Sequence, residues 1–103
     1  MQPQIVKDYL RYFREELEAA ANLSYEGAKS HLWSAQQHAE LLIPQLEILM
    51  RAKNSLLRAG AHMALQNVRD ANQHTKAATE SKGPTNQEHV QQAIAYAKRA
   101  LKP

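Results

Sequence analysis

Apolar residues recur at alternating spacings of three and four through the middle of the chain, which is the pattern of an amphipathic helix. Pro44 lies inside this stretch of residues 24–58, but the apolar stripe keeps its phase across the proline, which falls on the outer face. The pattern therefore predicts one long helix that is kinked at Pro44 and not broken there. The stripe consists of Leu32, Ala35, Ala39, Leu42, Leu46, Leu49 and Leu56.

Three shorter stretches show the same periodicity and are separated by turn signals. Helix one is predicted over residues 3–22, helix three over residues 61–81, and helix four after Gly83-Pro84. Thr85 with Glu88 three residues later fits a capping box, which predicts the start of helix four. Because short connections make consecutive helices antiparallel, we expect an all-α, single-domain four-helix bundle, mostly up-and-down, over residues 1–103.

The stripes of these three helices define the rest of the expected core. They are thin in helix three, where small side chains allow helices to approach closely but bury little area each. The expected core residues are Val6, Leu10, Phe13, Leu17 and Ala20, then Ala61, Leu65, Val68, Ala71 or Asn72, Thr75 and Ala78, and finally Val90, Ala93, Ile94, Ala97, Ala100 and Leu101.

The predicted second helix is longer than its neighbours, at about 50 Å against about 30 Å for helix one. Its excess length implies a bend at Pro44, a split into two helices, or cover by a second chain, and we expect the bend. An uncovered apolar continuation of its stripe is typical of an interface. We therefore expect a non-enzymatic protein that binds a protein partner, most simply as a homodimer, through Leu46, Leu49, Met50, Leu56 and Leu57.

Composition excludes several classes of site. The 103 residues include no cysteine, so disulfides, thiolate catalysis and cysteine-based zinc sites are excluded. No window approaches the roughly 20 apolar residues needed to span a bilayer, so we expect no membrane partner. We expect a cytoplasmic protein, with the periplasm left open if a signal peptide has been removed.

The net charge of +3 is unevenly distributed, because residues 1–26 carry a net charge of −2 and the remainder +5. The basic residues are spread singly along helices and are not interleaved with aromatic residues, so the pattern does not favour a nucleic-acid surface. No phosphate-binding loop, nucleophile elbow or metalloprotease motif is present. Enzyme activity stays an open question in which the sequence favours a non-enzyme.

Histidine is the residue type that most favours a chemical site. His74 and His89 fall on opposite sides of the predicted hairpin between helices three and four, and Glu80 or Glu88 would be needed to complete a metal site. The segments around His74 and His89, QHTKAATE and HVQQAI, resemble the helical hairpin of histidine-rich small metal-binding proteins. That resemblance implies an all-helical bundle that binds copper or another divalent ion such as nickel through His74 and His89.

A second resemblance is to the HEPN family of helical nucleotide-binding or ribonuclease domains. The segment RDANQH fits that family's pattern of arginine, polar residue and then histidine. The resemblance implies that Arg69 would stabilise phosphate charge and that His74 would act on the 2′-hydroxyl of RNA as an acid or base. On an uninterrupted helix, however, the two side chains would point about 140° apart.

Overall fold

The computed structural model describes residues 3–81 and 84–101 of the chain. Across these residues the chain forms four helices and no strand: α1 (Gln4–Ala21), α2 (Tyr25–Leu49), α3 (Ser55–Glu80) and α4 (Pro84–Leu101). Each helix packs on the next along the chain, and α1 also packs on α4. This arrangement is an up-and-down four-helix bundle, so the predicted fold class is confirmed.

The core lies along the axis of the bundle and is built from one apolar face of each helix. Helix α1 supplies bulky side chains such as Phe13 and Leu17, whereas α3 supplies mainly alanines, which let its neighbours approach closely. Nearly all of the predicted stripe is buried. The three exceptions are Leu49 and Leu101, which are half-buried, and Leu56, which is exposed.

Two long-range hydrogen bonds tie the helices together where α1 meets α2 and α3 meets α4. The hydroxyl of Tyr25 donates to the carbonyl of Thr79 at 2.8 Å, and the side-chain amide of Gln87 donates to the carbonyl of Leu23 at 3.3 Å. The predicted cap at Ser24 is also present, since its hydroxyl accepts from the backbone N–H of Gly27 at 3.4 Å. Both hairpin ends therefore lie at the same end of the bundle.

The prediction of a single helix over residues 24–58 is wrong, because α2 ends at Leu49 and α3 begins at Ser55. Backbone bonds from Arg51 to Ile48 and from Ala52 to Leu49 tighten the last turn of α2 and stop it. The side chain of Asn54 then accepts hydrogen bonds from two backbone N–H groups and starts a new helix. Leu49 and Leu56 are seven residues apart, which is the spacing expected on one continuous helix, although they belong to different helices.

Pro44 does not end α2, which runs without interruption from Tyr25 to Leu49. The proline is exposed, as its position on the outer face predicts. Because proline lacks an N–H, the carbonyl of Glu40 has no helical hydrogen bond from this position. The predicted long helix is therefore divided at residues 50–54 and not at the proline.

The start of α4 differs in detail from the prediction. Helix α4 begins at Pro84, which places Thr85 inside the first turn and not at a capping position, while Lys82 and Gly83 lie outside the described residues. The α3–α4 hairpin is held instead by Asn86, a buried side chain whose amide donates to the carbonyl of Ala78 at 2.6 Å. Because buried polar groups need hydrogen-bond partners, this bond fixes how α4 is placed against the end of α3.

Replacing Pro44 with alanine should stabilise the fold. Alanine restores the missing N–H in the middle of α2 and has a much higher helix propensity, so we expect a gain of about 1–2 kcal/mol in the free energy of unfolding. Urea denaturation measures this gain, with Gln45→Ala, a substitution at the neighbouring exposed position, as the control. Equal stability of both variants and the parent chain would show that α2 has already compensated for the proline.

Candidate functional site

The five residues of the predicted interface lie in different environments. Leu46 is 0% exposed and belongs to the core, whereas Leu56 is 75% exposed. Leu49 and Met50 are half-buried against the core, and Leu57 is half-buried on α3. Leu46 is therefore not available to a partner, because it lies on the inner stripe of α2 with Leu42, whereas the new helix turns Leu56 outward.

The exposed part of this region is an apolar surface at the N-terminal end of α3. Leu56, Ala59 and Met63 follow one another at spacings of three and four along α3, and Met63 is 67% exposed. Met50 joins them across an open groove of about 470 Å³ that Ala59 and Met63 also line. We call these four residues, Met50, Leu56, Ala59 and Met63, the α3 patch.

The α3 patch lies in a stretch of the chain that carries only positive charge. Residues 48–69 contain no aspartate or glutamate and carry Arg51, Lys53, Arg58 and Arg69. Arg58 donates to the carbonyls of Ala52 and Lys53, at 2.8 and 3.1 Å, and so helps to shape the α2–α3 connection. Within the described residues, Arg51 and Lys53 form no ion pair, which leaves their charge free to act on a partner.

The two histidines predicted to share a site do meet across the α3–α4 hairpin. The Nδ1 atoms of His74 and His89 are 3.4 Å apart. The ring of Tyr96 stacks on His74, with a centroid separation of 5.6 Å and an interplanar angle of 9°. Arg99 lies over the same Tyr96 ring, with its guanidinium carbon 4.9 Å from the ring centroid. The stack of aromatic rings holds the His74 imidazole in one orientation.

No further protein ligand is added to this pair, because the described residues contain no group of three histidine, cysteine or acidic side chains placed to hold one metal ion. Glu80 and Glu88, the expected third ligands, do not complete the site. Two of the other histidines are used elsewhere: His31 Nδ1 is 2.7 Å from Glu16 of α1, and His38 packs beside the ring of Tyr9.

Arg69 and His74 do not face a common site within the chain. Arg69 turns toward α2, where its guanidinium is 3.2 Å from the carboxylate of Glu47, while His74 turns toward His89 of α4. The separation follows from the unbroken α3 helix, on which residues five apart point in different directions. The geometry expected for phosphate stabilisation beside an acid–base histidine is absent from this part of one chain.

Comparison with known proteins finds no matching family, no matching curated protein and no matching solved structure. Over the described residues, no helix combines the length and apolar character required to cross a bilayer. The α3 patch and the His74–His89 pair are therefore characterised by their geometry alone.

The different burial of Leu46 and Leu56 predicts that only Leu46 contributes to the stability of the fold. Leu46→Ala should destabilise the fold by about 2–5 kcal/mol, because it removes a fully buried side chain and leaves a cavity. Leu56→Ala should change stability by less than about 0.5 kcal/mol, because the side chain is already in water. Thermal and urea unfolding measure the stability of the two variants. Similar losses of stability in both would contradict the burial of Leu46 and the exposure of Leu56.

Proposed function

We propose that this chain is a non-enzymatic interaction protein that self-associates through the α3 patch. The observation that carries the proposal is the exposure of Leu56 and Met63, two turns apart on one face of α3 toward its N-terminal end. Scattered single apolar residues are normal on protein surfaces, but an exposed patch beside an open groove and free positive charge is typical of a binding surface.

Association through the α3 patch would remove the side chains of Leu56 and Met63 from water. Burying a leucine or methionine side chain contributes about 1.5–3 kcal/mol, so Leu56 and Met63 have the size of the central anchors found in interfaces. Arg51 and Lys53 lie at the rim, where charges affect partner choice and association rate more than affinity. A core of apolar anchors with a charged rim is the usual anatomy of a protein interface.

The self-association is tested by measuring solution mass by light scattering over a wide range of dilution. The parent chain should show a mass that rises with concentration, and Leu56→Asp should shift the equilibrium toward the monomer by at least about tenfold in dissociation constant, since it places a charge in the interface core.

Gln73→Asp is the matched control, because it adds the same charge to an exposed position of α3 that lies away from the patch. The control should associate like the parent chain. A parent chain that is monomeric at every concentration, or an equal loss in both variants, would contradict association through the α3 patch.

A second candidate function, the binding of copper, nickel or a similar divalent ion, is favoured by one distance. Two nitrogen ligands at about 2.0–2.1 Å from a tetrahedral ion such as zinc are about 3.4 Å apart, which is the separation of the His74 and His89 Nδ1 atoms. Neighbouring ligands of a square-planar copper or nickel ion would be about 2.9 Å apart, so those ions would require the two rings to move closer. Imidazole suits these late first-row metals. The pair supplies two ligands, and water or another molecule would supply the rest.

Metal binding predicts a rise in melting temperature with excess copper, nickel or zinc ions that is lost in both His74→Ala and His89→Ala. The reason is that a ligand bound only by the folded state stabilises it by mass action. His62→Ala is the control, because His62 is an exposed histidine of α3 that lines the groove of the α3 patch. A shift that survives the loss of either His74 or His89, or no shift with any of the ions, would rule out this site.

A further inference from the structure

Helix α2 carries a second apolar face that the bundle does not cover. Trp33, Leu41 and Ile48 are 63%, 54% and 68% exposed, and the exposed Pro44 lies among them. With about 100° of rotation per residue, these four positions fall within about 80° of one another. We call them, Trp33, Leu41, Pro44 and Ile48, the α2 ridge.

The α2 ridge lies on the side of the helix opposite its core residues. Leu42 and Leu46, which are fully buried, are about half a turn away from the centre of the ridge. Apart from Gln37, which lies between Trp33 and Leu41, this outer face is apolar from Trp33 to Ile48, and the bundle buries only the inner face of α2. The outer face therefore calls for a partner outside the bundle.

Charge distinguishes the α2 ridge from the α3 patch. Residues 30–50, which contain the whole ridge, carry Glu40 and Glu47 and no lysine or arginine. Residues 51–69, which contain three of the four patch residues, carry Arg51, Lys53, Arg58 and Arg69 and no acidic residue. Glu47 and Arg69 pair with each other, so the unpaired charges that remain among the described residues are Glu40 beside the ridge and Arg51 and Lys53 beside the patch, which are of opposite sign.

We propose that the α3 patch of one copy docks on the α2 ridge of a second copy, an inference that rests on the self-association proposed above. Pairing the patch with its own copy would bring the cations of both rims together, and pairing the ridge with its own copy would bring the two copies of Glu40 together, since Glu47 is already paired with Arg69. Only the pairing of ridge with patch joins apolar surfaces while placing opposite charges side by side.

This docking is heterologous, since the two copies contribute different surfaces. After one contact forms, each copy still has one free surface, so the assembly extends beyond a dimer or closes into a ring. The parent chain should therefore exceed the dimer mass at high concentration, and added salt should weaken the assembly because it screens the rim charges.

Two blocked variants test the docking directly. The ridge variant carries Trp33→Ser and Leu41→Asn, and the patch variant carries Leu56→Asn and Met63→Asn. All four substitutions are at exposed positions and leave the charges unchanged, so both variants should keep the helical circular dichroism and the unfolding midpoint of the parent chain. Each variant has one intact surface, and the intact surfaces of the two variants are complementary.

We expect each variant alone to be monomeric at concentrations at least about tenfold above those at which the parent chain associates, because each loses two anchors. A one-to-one mixture should form a dimer and nothing larger. A patch variant that dimerises alone would show ridge-to-ridge pairing, and a ridge variant that dimerises alone would show patch-to-patch pairing.

Either result overturns the heterologous docking, although patch-to-patch pairing leaves association through the α3 patch standing. A mixture that stays monomeric while the parent chain associates would place the interface on other surfaces and overturn both. A parent chain that stays monomeric throughout, whether or not it binds vesicles of anionic lipid, would also overturn both.

Discussion

The surface of this protein depends on the cap that Asn54 makes at the start of α3. Its side-chain oxygen accepts from the backbone N–H groups of Leu56 and Leu57, at 2.9 and 3.1 Å. That cap stabilises the start of a new helix, typically by about 1 kcal/mol, and so fixes the turn that precedes it. On the helix that starts at this cap Leu56 faces water, whereas Leu46 on the preceding helix is buried in the core.

The same turn is also the point at which the charge of the chain changes sign. The acidic segment on α2 ends before it and the basic segment on α3 follows it, so the two charge types lie on neighbouring antiparallel helices. The pair that joins them, Glu47 with Arg69, has both side chains half exposed and contributes little to stability. The packing of α2 on α3 is therefore supported by buried apolar area.

Periodicity was sufficient to predict the fold. The spacing of Phe13 and Leu17 on α1, and of Val90 and Ile94 on α4, reflects burial on one side of a helix, and burial is a repeated property that a sequence displays clearly. The α2–α3 connection was not predictable in this way, because its loop preserves the phase of the stripe by coincidence. Asn54 was the available signal, since asparagine favours caps and turns.

For the candidate sites, too, sequence spacing predicts some features and leaves others undetermined. Proximity of His74 and His89 follows from hairpin pairing and could be expected from sequence spacing. The stacking of Tyr96 on His74 and the lack of a third ligand in the described residues depend on side-chain directions across two helices, which spacing does not specify. The outer apolar face of α2 was hidden because its residues alternate with the stronger inner stripe.

The two candidate sites are far enough apart to act independently. Leu56 and His74 are eighteen residues apart on α3, which is five turns, so they lie on the same side of the helix about 27 Å from each other. Substitutions separated by more than about 10 Å, with no shared partners, usually have additive effects on free energy. A metal ion at the histidine pair would therefore leave the α3 patch open, and loss of the patch would leave the histidine pair intact. The bundle thus separates the α3 patch at one end of α3 from a chemically distinct histidine pair toward the other.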